Sequence, residues 1–568
     1  MHSKPWLAHY DPVVPPTLAP YPDRTLLDVL ADTARERPAH PFLWFKGRQL
    51  SYADVERLSD AFAASLVAQG IAPGDRVALL MPNCPQSVIT QLGIWKAGGL
   101  AVPLNPLYTE GELAHAFRES GAVIAVVLTS FYRKLKAIQS GTALRTIVAT
   151  KIKAFLPPLT RFLFTVAREK KLGHRVRLAS DDLWWEDLVR RHASDAPPHG
   201  LAKPGGNALL LFTGGTTGAA KAAVSTHKGL LATGLQLQAW SSRPLPPWET
   251  VAMLLMPLFH TYGNCGVFAT AIAARWSLVL VPNPRDIDDV VATIRRTRPA
   301  AIPGVPTFFM ALLEHPLVKA RKVDLHSVRV CISGAAPLLA ETKRRFEAET
   351  GGKLLEGYAL TESVMAAVVN PVDGVNKPGS VGLPLPDVVV RIVDAETGQG
   401  EVAAGRVGEV IVQAPQVMRG YWGTPPESES MVKDGWLYTG DLGYLDEDGY
   451  LFLVDRKKDL IKVSGFQVWP RDVEEAIAKH PAVAEVAVAG VPDAGQGEAV
   501  SAWVVRRAGA EVTADEIRGF CRQHMVAYKV PKHVEFRDAL PKSMIGKPLR
   551  RVLRDEARMT VARAASAG

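Results

Sequence analysis

Residues 213–221 read Thr-Gly-Gly-Thr-Thr-Gly-Ala-Ala-Lys and directly follow an apolar run, 208–212, with the pattern of a buried strand. Gly214, Gly215 and Gly218 carry no Cβ, so neighbouring backbone N–H groups can converge on an anion. Thr213, Thr216 and Thr217 add hydroxyl donors, and Lys221 adds a positive charge. This is chemistry for holding phosphate. It is not a Walker-type loop, because that pattern puts Ser or Thr after the lysine and Ala222 stands there. Taken by itself the run also fits a plain Gly/Thr surface turn, so its meaning depends on the rest of the chain.

Five further segments bear on it. Ile332-Ser333-Gly334-Ala335-Ala336-Pro337 places small residues after a strand, which suits close approach of a flat ring. Glu356-Gly357-Tyr358-Ala359-Leu360-Thr361-Glu362 offers an aromatic ring, a hydroxyl and a carboxylate. Gly435-Trp436-Leu437-Tyr438-Thr439-Gly440-Asp441 ends on a second carboxylate. Residues 455–465 are rich in charge and include Arg456, Lys458, Lys462, Ser464 and Gly465. Leu540-Pro541-Lys542-Ser543-Met544-Ile545-Gly546-Lys547 is followed by Pro548-Leu549-Arg550-Arg551.

In this order and spacing the six segments resemble the adenylate-forming enzymes: acyl- and aryl-CoA ligases, firefly luciferase and peptide-synthetase adenylation domains. Among these the chain is most similar to bacterial long-chain fatty-acid–CoA ligases, over residues from about 25 to about 555. The resemblance implies two steps. A carboxylate attacks the α-phosphate of ATP to give acyl-AMP and pyrophosphate, and the CoA thiol then takes the acyl group and releases AMP. The first step brings an anion to a polyanion and its nucleophile needs no base, so catalysis must rest on positioning and charge neutralisation.

The resemblance also assigns roles. The Thr213–Lys221 loop would hold the β- and γ-phosphates, Thr361 would touch the α-phosphate, and Glu362 would hold Mg²⁺. Tyr358 would stack on adenine, with Gly334, Ala335, Ala336, Glu356 and Gly357 completing the nucleotide site. Asp441 would accept both ribose hydroxyls, with Arg456 beside it. Lys547 would bridge the carboxylate and the α-phosphate. Lys458 falls at the hinge position, and Lys462, Ser464 and Gly465 fall on the face that lines the CoA tunnel. His260, Val305 and Gly357 would line the acyl pocket. Ala220, Ala222 and Ala359 depart from the common pattern, and Pro548 biases Lys547 toward an extended backbone, but no charged catalytic group is replaced.

These groups need a scaffold. At 568 residues the chain is too long for one core. Residues 26–37 have helical spacing, and 51–69 form a second helix with Ser51 as its cap. Apolar strand runs at 77–81 and 101–104 flank a helix through Trp95, a βαβ rhythm that predicts a parallel sheet. Residues 131–185 are read as a break in that rhythm: eight Lys and Arg between 151 and 177 lie among Phe155, Leu156, Leu159, Phe162, Leu163 and Phe164. That segment reads either as a basic helical insertion lying on its own domain or as an interfacial segment for anionic lipid. The βα pattern resumes over 208–370, and short β-rich stretches with Gly and Asp turns occupy 380–454.

The expected fold is therefore α/β. A large N-terminal domain, 1–455, holds two βα-layered subdomains and a small β-barrel-like subdomain, and a small mobile α+β lid, 456–568, carries the catalytic lysine. Net charge is a modest +9, and no basic-aromatic repeat suggests nucleic acid. Four scattered cysteines fit a reducing compartment with no structural metal, and the N-terminal residues lack the apolar core of a signal peptide. Residues 266–281 read as buried core, since Arg275 interrupts them. The expectation is a cytoplasmic enzyme, peripheral on the inner membrane face if the basic segment binds lipid, with homodimer formation left open. Its expected partners are ATP, a medium- to long-chain fatty acid and coenzyme A. The alternatives are a CoA ligase for aryl or other acids, an acyl-AMP ligase that loads a carrier protein, and a non-catalytic binding relative.

Overall fold

Val77, Ala78, Leu79 and Leu80 follow one another with no polar side chain between them, which suits a strand covered on both faces. In the computed structural model they lie in Arg76–Leu80, the middle strand of a seven-stranded sheet. The structure describes residues 4–213, 220–464, 466–493, 495–542 and 548–566, without the side chains of 366, 425–427 and 560–566. The sheet order is Leu183–Trp184, Thr146–Thr150, Ile124–Leu128, Arg76–Leu80, Leu100–Pro103, Asn207–Phe212, Ala222–Thr226. Neighbours are parallel except the last pair, which is antiparallel and joined by the glycine-rich segment. Thr213 N–H donates to Lys221 O at 2.8 Å where that segment begins and ends.

The covering helices start where their caps dictate. Thr25 caps Leu26–Glu36 and Ser51 caps Tyr52–Ala68, each with a carboxylate (Asp28, Asp54) returning to the cap's own N–H. The helix Pro85–Lys96 is buried on every side. Its polar groups are paired accordingly: Lys96 Nζ meets Asp60 at 2.6 Å and Glu56 at 3.0 Å, and Trp95 Nε1 donates to Ala208 O.

A second βα layer is built from two four-stranded sheets. One runs Val251–Leu254, Ser277–Leu280, Pro41–Phe45, Arg48–Ser51, and the other Val330–Ser333, Lys353–Leu360, Met365–Val369, Leu383–Pro384. Single bridges from Ala301 to Ala252 and to Val330 link them. Residues 266–281 are core, as the sequence implied: helical turns Tyr262–Phe268 and Ala269–Ala273 lead into the strand Ser277–Leu280, and Arg275 pairs with Glu36 at 2.9 Å. No helix among the described residues is long and apolar enough to cross a membrane. All four cysteines are buried and free.

The expected break at 131–185 is corrected in part. Thr146–Thr150 is a regular parallel strand beside Ile124–Leu128, so the βα rhythm continues through it. Thr146 and Thr150 at the strand's ends disguised it in the sequence. The irregular part starts later, with the short helix Pro158–Ala167, none of whose residues is buried.

The chain divides into two compact units, one of Met1–Thr213, Ala220–Val389 and Val412–Leu437, the other taking in Val390–Ile411 and Tyr438–Gly568. A sheet of hairpins pairs Val389–Val393, Gly408–Gln413, Trp436–Leu445 and Leu451–Arg456. Asp446 Oδ1 accepts the N–H groups of Asp448 and Tyr450 and so fixes the last turn. An α+β body follows. Phe466–Val468, Ile461–Val463, Gly497–Arg506 and Val483–Asp493 pair in that order, with His533–Phe536 parallel to Gly497–Arg506. The helices Pro470–Ala478, Ala514–His524 and Arg550–Ser566 belong to it. The architecture is the expected one of two βα layers, a β-hairpin subdomain and a C-terminal α+β part.

Candidate active site

The strand Lys353–Leu360 carries Glu356, Gly357 and Tyr358 and runs into a tight turn before Met365–Val369 returns antiparallel. Thr361 and Glu362 sit on that turn. Val364 and Met365 follow with φ of +52° and +87°, a region that side chains other than glycine rarely enter, β-branched Val364 least of all. The surroundings impose it. Ser363 Oγ accepts from Leu360 N–H and donates to Met365 O at 2.6 Å, and Thr233 Oγ1 donates to Val364 O at 2.9 Å. Strain of this kind persists where packing over-determines it, and here it holds Thr361 and Glu362 half exposed.

Glu362 has a partner that the sequence reading missed. Tyr421 Oη donates to Glu362 Oε1 at 2.6 Å, and Met418 N–H donates to Glu362 O at 2.9 Å. Residues 419–422 lace onto the strand Ala222–Thr226 through Arg419 N–H to Val224 O, Val224 N–H to Gly420 O and Trp422 N–H to Ala222 O. Gly420 takes φ +138° to do so. Lys221 Nζ lies 5.4 Å from the centre of the Tyr421 ring. Burial and the Glu362 charge raise the Tyr421 pKa far above that of a free phenol, so the hydroxyl stays a donor. The structure thus joins Lys221, Glu362 and Tyr421. The Gly420-Tyr421-Trp422 run was the available signal, in a region read only for hairpins. Gly214, Gly215, Thr216, Thr217 and Gly218 lie outside the described residues.

A shelf of small residues lies on the neighbouring strands. Gly304 N–H donates to Ile332 O at 3.0 Å and Gly334 N–H to Gly304 O at 3.2 Å, which sets Val305 beside the end of Val330–Ser333. Tyr262 Oη donates to Ile332 O at 2.6 Å, and a Cβ on Gly334 would stand 3.4 Å from that ring. A Cβ on Gly357 would crowd Ile332 Cγ2 and Val368 O at 3.3 Å. Ala335 holds φ +69° and begins a loop whose far end, Leu338 N–H, donates to Glu356 Oε1 at 3.0 Å. Glu356 therefore anchors the loop that carries Ala335 and Ala336. Tyr358 is buried.

His260 precedes Tyr262 by two residues, on a loop clamped by buried amides. Asn83 Nδ2 donates to Leu254 O and Met256 O, while its Oδ1 accepts from Leu258 N–H. Asn264 and Gln91 exchange two hydrogen bonds at 2.8 Å, and Asn264 also donates to Leu258 O. The wide-turned helix Tyr262–Phe268 starts here, a form that recurs at functional sites. His260 Nδ1 accepts from Tyr262 N–H at 3.2 Å, which leaves the proton on Nε2. Burial pushes His260 down to about 4, so the ring is neutral at physiological pH. Asn83, Gln91 and Asn264 were legible only as polar residues in apolar surroundings.

In the second unit Asp441 and Arg456 face each other across the hairpin, with Arg456 Nε 3.0 Å from Asp441 Oδ1. Asp441 is buried. Its N–H donates to Thr439 Oγ1, which donates to Val410 O. Glu409, a carboxylate inside an apolar strand, accepts from Gly440 N–H at 3.2 Å and from Lys457 Nζ at 2.9 Å. Lys458 follows in the turn Lys457–Asp459 and is exposed. Lys462 is exposed; its N–H donates to Glu498 Oε2, and Ser464 N–H donates to Gln496 O with φ +51°. Gly465 and Lys547 lie outside the described residues.

Residues 30–422 match the family described as AMP-binding enzyme, and 472–547 match the AMP-binding enzyme C-terminal domain. The chain is 38% identical over 564 residues to the long-chain-fatty-acid–CoA ligase of Bacillus subtilis, covering 98% of each chain. It is 33% identical over 514 residues to 4-coumarate–CoA ligase 2 of Nicotiana tabacum, covering 89% of each. Among solved structures, ATP-bound MatB from Rhodopseudomonas palustris aligns with a TM-score of 0.80 at 31% identity, over 94% of this chain and 99% of that one.

Proposed function

The chain belongs to the adenylate-forming, AMP-binding enzyme family, an AMP-forming acid–thiol ligase with ATP and CoA as substrates, and we propose that its acid is a medium- to long-chain fatty acid. The observation that carries the acyl class is the 38% identity, across 98% of both chains, to a ligase of long-chain fatty acids. The apolar character of the shelf supports it: Val305, Tyr262 and a neutral His260 offer a chain no charge to pair with. An aryl acid is the second reading, favoured by the 33% identity to the 4-coumarate ligase.

In the proposed adenylation step Lys221 and the glycine-rich loop hold the β- and γ-phosphates, and Thr361 meets the α-phosphate. Gly334, Ala335 and Tyr358 take the adenine. Asp441, held against Arg456, takes the ribose hydroxyls, which a buried carboxylate accepts well. Among the described residues no group of three or more acidic, His or Cys side chains could hold a metal ion. A lone Glu362 nonetheless fits Mg²⁺, which takes its other oxygens from phosphate and water. When bound, that ion would neutralise charge on the phosphates. Lys547 enters from the lid, 456–568, bridges the acid and the α-phosphate, and gives way about Lys458 to the CoA face near Lys462, Ser464 and Gly465.

ATP–pyrophosphate exchange with hexadecanoate, benzoate and acetate tests this, in wild type and Lys547→Ala. Exchange should be strongest with hexadecanoate and fall at least about 10²-fold in the variant. Exchange with benzoate alone would discard the fatty-acid reading and keep the mechanism.

A further inference from the structure

Leu159, Phe162, Leu163 and Val166 recur at the spacing of one helix face, and in Pro158–Ala167 that face points to solvent. Their exposures are 71%, 64%, 55% and 73%. Such a stripe on a soluble body normally faces the core. Here Phe164, on the other side, turns inward and meets the His174 ring edge-on at 5.5 Å. Leu172, five residues past the helix, is also half exposed.

The charge around the stripe is of one sign. Arg161, Arg168, Lys170, Lys171, Arg175 and Arg177 are all exposed. Glu169 is the one acid between 151 and 177, and it is paired with Lys153 at 2.7 Å. An apolar strip bordered by cations complements a surface that is anionic at its face and hydrocarbon beneath. An apolar protein partner would satisfy the stripe and leave the cations unanswered. A second copy would bring like charges together across a self-complementary contact.

We propose that Pro158–Ala167 and the basic residues after it form a docking surface for an anionic lipid bilayer, with Leu159, Phe162, Leu163 and Val166 entering the acyl boundary. This deepens the fatty-acid reading, because a membrane is where a water-insoluble acid is found. The binding itself does not depend on that reading.

The test is co-sedimentation of the full chain with vesicles of phosphatidylcholine, with and without about one-third phosphatidylglycerol, at about 50 mM and about 500 mM salt. Binding should require the anionic lipid and weaken several-fold at the higher salt. Phe162→Asp with Leu163→Asp should lower the partition coefficient at least about tenfold, and Lys170→Glu with Lys171→Glu should lower it at low salt. Both variants alter exposed side chains, so exchange activity with a soluble medium-chain acid such as octanoate should be unchanged. Binding that is equal on both vesicle types, or indifferent to both variants, would overturn the proposal. So would a wild-type dimer in sedimentation velocity that the Phe162/Leu163 variant dissociates, since a second copy would then occupy the stripe. These outcomes are separate from the exchange panel, where the fatty-acid reading stands or falls.

Discussion

Tyr421 donates its hydroxyl to Glu362 at 2.6 Å, across 59 residues of sequence, and this bond orients the one carboxylate proposed to face the metal and phosphates. A short hydroxyl–carboxylate bond is charge-assisted, stronger than a neutral one and directional. Tyr421→Phe keeps the ring beneath Lys221 and removes only this bond. The expected result is a 10- to 30-fold loss in kcat/KM, about 1.5–2 kcal/mol, with half-saturation moved to higher Mg²⁺. Glu362→Gln should cost more, at least about 10²-fold. Steady-state rates across a Mg²⁺ titration separate the two. An unchanged Mg²⁺ dependence in Tyr421→Phe would remove the orienting role.

Gly263 sits where the loop from Pro257 turns into the wide helix. A Cβ there would stand 2.3 Å from Pro257 O and 2.4 Å from Met256 O. Both obstacles are backbone, and Asn83 and Asn264 hold the same loop, so neither can yield cheaply. Gly263→Ala should destabilise the fold by about 2–4 kcal/mol, read from urea midpoints. Gly111→Ala is the control: no atom within 4 Å would meet its Cβ, it lies in the helix Glu110–Ser120, and stability should rise slightly. Equal behaviour of the two variants would show that the loop relaxes.

His260 gives a pH prediction with a definite sign. Burial lowers its folded pKa to about 4, below the ordinary value of 6.5, so the fold favours the neutral ring. The stabilisation tied to that neutral form is complete above about pH 6.5 and is lost as pH falls toward about 4. Histidine NMR should show the His260 ring uncharged at pH 6. The pH–rate profile should lack a His260 ionisation near neutrality. An inflection near 6.5 that disappears in His260→Gln would contradict this.

Local signals carried much of the sequence reading. Helical spacing announced Leu26–Glu36, Ser51 announced the helix it caps, and unbroken apolar runs announced the parallel strands. Asp441 and Arg456 stood out as charged residues in ordered motifs. What was not legible depends on distant partners. Tyr421 becomes a site residue only because the strand Ala222–Thr226 pairs with 419–422, and Gln91 only because Asn264 lies across from it. Thr146–Thr150 was hidden by its own threonines, although β-branched ends are at home in a strand. The positive φ of Val364 runs against local preference, and a tertiary hydrogen bond from Thr233 holds it together with the local one from Ser363.

Arg550 ties the segment after the hairpins to two helices of the C-terminal part. Its guanidinium meets Glu474 through Nε at 3.0 Å and NH2 at 2.6 Å, and reaches Asp455 at 3.0 Å and Asp459 at 3.4 Å through NH1. The Asp455 and Glu474 side chains are 3% and 19% exposed, so removing the cation leaves two largely buried carboxylates with backbone N–H donors but without the charge that pairs them. Arg550→Ala should destabilise this part by about 3–5 kcal/mol, and Arg550→Lys should recover little of it, since an ammonium cannot reproduce the fork. Burial already raises the Glu474 pKa against the pull of Arg550, and losing Arg550 raises it further. A carboxyl with a raised folded pKa is penalised when ionised, and that penalty is relieved as pH falls and the group takes a proton. The Tm deficit of Arg550→Ala should therefore be larger at pH 7.5 than at pH 5.5 by a measurable margin. A deficit that is the same at both pH values would mean the arginine acts through packing of its stem, not through the charges it pairs.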